Sequence, residues 1–227
     1  MNMNPHHSYG PAADELRSRY DTSQTRLGHH APMKSHVPKP VTVSIVVPQA
    51  RPEVFAFLDV MGNHDVFANH MLSDWAYSGP LSGIGAKARV HSKAWRRTET
   101  IDIEVVDAHA PVRIVERNVS AGGRRVGTGT YELVERPHRA TRISFTYAWL
   151  RAPLLDRVSA PLVRRILRRG NERALERLAE QLTRAEAASE EIGAIVDATP
   201  GKPPARAAIE QTMLRHGLTP DPGEAQP

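Results

Sequence analysis

From Val41 to Val47 the chain alternates, with Val41, Val43, Ile45 and Val47 apolar and Thr42 and Ser44 polar between them. A period of two is the pattern of a strand that buries one face, and Pro48 ends it. The period then changes. Pro52 and Glu53 suit a first helical turn, and Val54, Phe55, Phe57 and Leu58 give an apolar side before Gly62, which predicts a short helix. Asn63 is placed to cap a second short helix carrying Val66, Phe67 and Met71.

Between Leu72 and Leu150 turn signals recur: Ser78-Gly79-Pro80 with Gly83 and Gly85, then Ala110-Pro111, Gly122-Gly123 and Arg136-Pro137-His138-Arg139. They divide the stretch into six strands with short connections, an antiparallel meander. Parity assigns the faces. Ile101, Ile103 and Val105 oppose Thr100, Asp102 and Glu104, and Ile143, Phe145, Tyr147 and Trp149 oppose Arg142, Ser144 and Thr146, so one face is apolar and aromatic and the other solvated.

From Ser159-Ala160-Pro161 to about Ala185 the spacing turns to three and four, with Val163, Ile166, Leu167, Gly170, Ala174, Leu175, Leu178 and Leu182 in one stripe. Such a helix has one place to bury the stripe, the apolar face of the sheet. The expectation is an α+β fold: a curved antiparallel sheet of about seven strands, two short helices and a long C-terminal helix. Residues 1–39 and 187–227 lack the periodicity and are read as largely disordered tails around a domain at 40–186, apart from a short helix at 205–216 ended by Gly217.

Cysteine is absent, which excludes disulfides, thiolate nucleophiles and Cys-based metal sites. No apolar run approaches the ~18 residues of a membrane span, and the expected compartment is the cytoplasm. The net charge of +5 is local, because residues 151–169 hold six arginines against Asp156 alone. Arg164, Arg165, Arg168 and Arg169, beside Leu154 and Leu155, are the candidates for transient contact with an anionic membrane surface; the competing reading is a solvated helix face. No aromatics interleave with these arginines, which argues against nucleic acid.

Four stretches resemble the polyketide cyclase/dehydrase branch of the START-like (SRPBCC) superfamily. They are Pro48 to Asp59, Asn63 to His70, Leu81-Ser-Gly-Ile-Gly-Ala86, and Ala160 to Leu178, about two-thirds of the chain together with the strands between them. The second stretch departs from the superfamily's pattern in having no aromatic-proline pair. The resemblance implies the helix-grip, pollen-allergen-like fold enclosing an apolar cavity. It also implies a hydrophobic ligand such as a lipid, isoprenoid or polyketide-like compound, with a cyclase or dehydratase as the alternative and no cofactor.

On this reading the cavity is lined by Trp75, Tyr77, Val90, Ile103, Tyr131, Phe145, Tyr147, Trp149 and Ile166, with Gly170 and Ala174 leaving room opposite; the competing reading is ordinary core packing. The tyrosine hydroxyls would orient a ligand. Neither a nucleophile with its base nor a pair of convergent carboxylates is found on the expected inner face, so no catalytic residue is assigned. Asp102, Glu104 and His91 have outward parity. His64 and His70, with Asp65 nearby, lack the i,i+4 spacing of a metal pair and are read as surface histidines. Gly83-Ile-Gly85 leads into a strand instead of a helix, unlike a dinucleotide-binding turn.

Overall fold

β1 (Val41–Val47) alternates as predicted, with Val41, Val43 and Val47 buried. Two short helices follow, α1 (Arg51–Asp59) and α2 (His64–Ala68), joined by a 3-10 turn over Met61–Asn63. The Glu53 carboxylate accepts the Ala50 N–H at 3.1 Å, closing the first turn of α1. Asn63 does not cap α2 with its side chain; it donates instead to the Phe57 carbonyl at 2.8 Å, tying the two helices together. The computed structural model of the protein describes residues 37–92, 98–197 and 206–218.

Six more strands complete the sheet: β2 (Leu72–Ser78), β3 (Lys87–Ser92), β4 (Glu99–His109), β5 (Arg113–Ser120), β6 (Arg125–Arg136) and β7 (Ala140–Arg151). Their order is β1-β7-β6-β5-β4-β3-β2, all antiparallel, a meander whose last strand returns to pair with the first. Val43 faces Phe145 and Ile45 faces Ile143 across that closing pair. The register slips within β2, β4 and β6 (Ser73/Ala76, Val105/Asp107 and Val126/Gly127). Such bulges add bend and twist, which a sheet needs to curve around a helix.

A five-residue helix, α3 (Leu154–Val158), turns the chain out of β7, and α4 (Ala160–Asp197) crosses the inner face. Ala174, Leu175, Leu178 and Leu182 of α4 are buried in one cluster with Val43, Leu58, Phe67, Val90, Ile103, Ile114 and Ile143. Truncating a buried leucine such as Leu178 costs about 2–5 kcal/mol, so this seam accounts for much of the grip. Ile166, placed in the stripe from sequence, is exposed. The first turns of α4 meet only a small cluster of Val41, Trp149 and Ala152, which Val163 and Leu167 cover from one side, and that leaves Ile166 facing outward.

The domain edge expected at residue 186 falls inside α4. Gln49, buried at the end of β1, donates to Glu186 at 2.8 Å and anchors the helix there, and the alanines and glutamates beyond have the propensity to continue it. α5 (Arg206–Arg215) matches the short helix expected near the C-terminus. It ends in a Schellman turn: Gly217 has φ +71°, its N–H donates to Leu214 O, and Leu218 N–H donates to Met213 O. The tail expectations for 1–36, 198–205 and 219–227 lie outside the described residues.

Candidate functional site on the inner sheet face

The curved sheet brings together most of the residues singled out from sequence. Val90, Ile103, Tyr131 and Ala174 share one buried cluster, with Trp75 and Phe145 packed against it, while Tyr147 and Trp149 join the smaller cluster near Val41. Tyr131 and Phe145 lie 4.7 Å apart between ring centroids, and Tyr147 meets Trp149 edge-on at 4.9 Å. Two residues stay outside: Ile166, and Tyr77, which is exposed on edge strand β2 and stacks on Trp75. The room expected opposite Gly170 is filled by the Met71 thioether, and His70 Nε2 bonds the Gly170 carbonyl at 3.0 Å. Gly170 therefore serves a close helix contact.

A solvent-open hollow of about 430 Å³ lies among Ala76, Lys87, Arg89, Asp102, Glu104 and Arg117. These side chains have outward parity, and Lys87–Glu104 and Arg89–Asp102 pair there at 3.1 and 2.7 Å. Tyr77 and Ile103 also border the hollow, but its charged rim is unsuited to an apolar ligand.

The interior holds chemistry that the sequence reading did not assign. His64, expected on the surface, is buried, and its Nδ1 stands 3.2 Å from Oε1 of buried Glu116, with side-chain exposures of 5% and 6%. Nε2–H donates to the Leu58 carbonyl at 2.8 Å, which fixes the ring. Phe67 and Tyr131 flank it at centroid distances of 5.2 and 5.9 Å. Burial pushes the imidazole pKa down, but the Glu116 carboxylate more than reverses this, helped by the Leu58 carbonyl and Asp59, and the pKa stands above its ordinary 6.5. The result is a buried histidine–glutamate pair in which the protonated ring is favoured more than in a free histidine. Burial, with Glu116 adding, raises the Tyr131 phenol well above its usual range and keeps it neutral.

A second polar group closes the end of the interior near Trp149. Arg125 holds Asp156 of α3 with two bonds, Nε to Oδ2 at 2.7 Å and Nη2 to Oδ1 at 2.8 Å, and its Nη1 reaches Glu99 and Ser120. This is the bidentate geometry in which arginine binds carboxylates most strongly. Beside it the Tyr147 phenol is pushed up to about 12, chiefly by burial.

Several buried polar atoms around this interior find no hydrogen-bond partner: Glu116 Oε1, whose contact with His64 has ion-pair distance but not hydrogen-bond geometry, Trp75 Nε1, Trp149 Nε1 and Asn171 Nδ2. An unpaired buried polar atom costs about 1–3 kcal/mol. Trp75 packs against the main apolar cluster and Trp149 belongs to the smaller one.

Two signals in the sequence pointed to this site. Gly127 and Gly129 sit inside β6, where glycine marks a close approach. A Cβ at 127 would strike the Tyr147 ring, and one at 129 would touch the Phe145 ring at 3.0 Å and Glu116 Oε2 at 3.2 Å. The other signal is Glu116 itself, but parity in β5 is ambiguous, since Ile114 faces inward while Val115 and Val119 face outward with Arg113 and Arg117.

No protein-family model matches the chain, and no curated protein matches its sequence. Solved structures do match its fold. The Zhui aromatase/cyclase of a Streptomyces species superposes with a TM-score of 0.53 at 15% identity, over 64% of this chain and 94% of its own. A protein of Thermus thermophilus gives 0.52 at 16% identity over 65% and 99%, and a hypothetical protein of Helicobacter pylori gives 0.53 at 9% over 69% and 96%. The chain thus shares with these structures an α+β helix-grip architecture, a curved antiparallel sheet closed by a long C-terminal helix. At these identities the likeness is one of fold.

Proposed function

We propose that the protein binds a hydrophobic small molecule, a lipid, isoprenoid or polyketide-like compound, between the inner sheet face and α4. The observation that carries the reading is the set of buried, unpartnered polar atoms there, with Glu116 Oε1 foremost. A hydroxyl on an otherwise apolar ligand would donate to Glu116, and a carbonyl would accept from Trp75 or Asn171. No cofactor is required, and the reading places the protein in the cytoplasm.

The second reading is a cyclase or dehydratase using the same interior. The His64–Glu116 pair favours it, because a histidine held beside a carboxylate, with its pKa raised, is the kind of group that serves as a general acid. The cyclase activity of the Streptomyces structural neighbour points the same way.

Native mass spectrometry of protein purified gently from its host, with organic extraction of the bound material, tests the first reading. A stoichiometric apolar compound is the expected result; a protein that arrives empty and takes up no hydrophobic probe would sink it. If a ligand is found, His64→Gln separates the two readings. Loss of turnover with ligand retained means an enzyme, and no conversion by the parent protein means a carrier.

A further inference from the structure

The side of α3 away from its buried Asp156 is apolar. Leu154, Leu155 and Val158 are 74%, 76% and 75% exposed, and Leu150, Leu162 and Ile166 are exposed beside them in sequence. Single exposed leucines need no explanation, but six apolar side chains within seventeen residues make a surface that water disfavours. Nor is α3 a loose segment. Its Asp156 is buried and gripped by both arms of Arg125, and its Arg157 donates to the Ala152 carbonyl at 3.0 Å. The helix is pinned by its one inward carboxylate so that its leucines and valine face out.

Cations border the same surface. On α4, Leu162, Arg165, Ile166 and Arg169 follow at spacings of three, one and three, one stripe of a helix, with Arg168 alongside. Arg165, Arg168 and Arg169 are exposed and make no ion pair with another described residue. Arg164, grouped with them from sequence, leans the other way and donates to the Pro40 carbonyl at 3.5 Å. Along α4, among the described residues, the first exposed carboxylate after this stripe is Glu172.

We propose that α3 and the first three turns of α4 dock the protein on an anionic lipid bilayer. The leucines and valine would enter the boundary between headgroups and acyl chains while the arginines hold the phosphates. Apolar insertion plus clustered cations is what an interfacial helix requires. A nucleic acid would use the arginines and leave the leucines in water. No helix among the described residues is long and apolar enough to cross a membrane, so the contact is peripheral. The proposal rests on the outer surface and stands whether or not the interior holds a ligand.

Co-sedimentation with vesicles of phosphatidylcholine containing about 30% phosphatidylglycerol, against pure phosphatidylcholine, reads the interaction. The full chain is expected to pellet with the anionic vesicles only, less so as salt rises. Leu154→Ser with Leu155→Ser, and separately Arg165→Gln with Arg168→Gln and Arg169→Gln, should each weaken partitioning by about tenfold or more. These side chains are solvent-exposed, and an unchanged thermal melt confirms that the variants fold. A parent protein that stays in the supernatant overturns the proposal. So does a leucine variant that binds as the parent does, or retention on single-stranded RNA with no vesicle binding.

Discussion

His64 and Glu116 are the residues at which stability and pH are coupled. The histidine's folded pKa is raised above 6.5, so the pair's contribution is complete below that value and fades as pH climbs through the folded pKa. Chemical denaturation from pH 6 upward should therefore show falling stability, and a His64→Gln variant should lose that slope. Glu116→Gln removes the carboxylate that raises the ring's pKa: NMR titration should place the His64 pKa lower than in the parent protein, with a cost of about 1–3 kcal/mol. The glycines opposite are equally constrained. Gly129→Ala or Gly127→Ala pushes a methyl into an aromatic ring and should lower stability by about 1–3 kcal/mol in thermal melts.

Among the elements, the Arg125–Asp156 bond holds α3 in place. Asp156→Asn removes the charge that Arg125 grips, and amide exchange across Leu154–Val158 should quicken by about tenfold while β5 to β7 keep their protection. The order of elements was legible in the sequence because each announces itself by period: two in β1, β4 and β7, three and four in α4. α3 was not, since five residues are too few to show a period. Of the site, the aromatics Tyr131, Phe145, Tyr147 and Trp149 followed from strand parity. The buried pair did not, because His64 lies in a helix of one turn and Glu116 in a strand with apolar residues on both faces; only the sheet's curvature brings them together.

Across the whole molecule stability is unevenly distributed. The grip is one continuous cluster from α1 to Leu182, whereas α5 is tied to α4 through Glu191, which bonds His216 at 2.9 Å and pairs with Arg215. The His216 bond, assisted by Arg215, lowers the Glu191 pKa below its ordinary 4.5. A lowered carboxylate stabilises above its unfolded value and loses that effect as pH falls through the folded one. Exchange protection in 206–218 should therefore disappear in acid before the sheet opens, and a simultaneous loss would show that α5 belongs to the cooperative core.

Val37 packs in the small cluster with Val41, Val163 and Leu167, so the chain enters the domain at the foot of α4, beside the arginine stripe. Lys39, exposed two residues on, is fixed within this neighbourhood without belonging to the leucine or arginine set. In a chain without cysteine, Lys39→Cys offers a unique attachment point for an environment-sensitive dye. Its emission would report the arrival of a lipid surface in real time while every side chain proposed to touch that surface remains native.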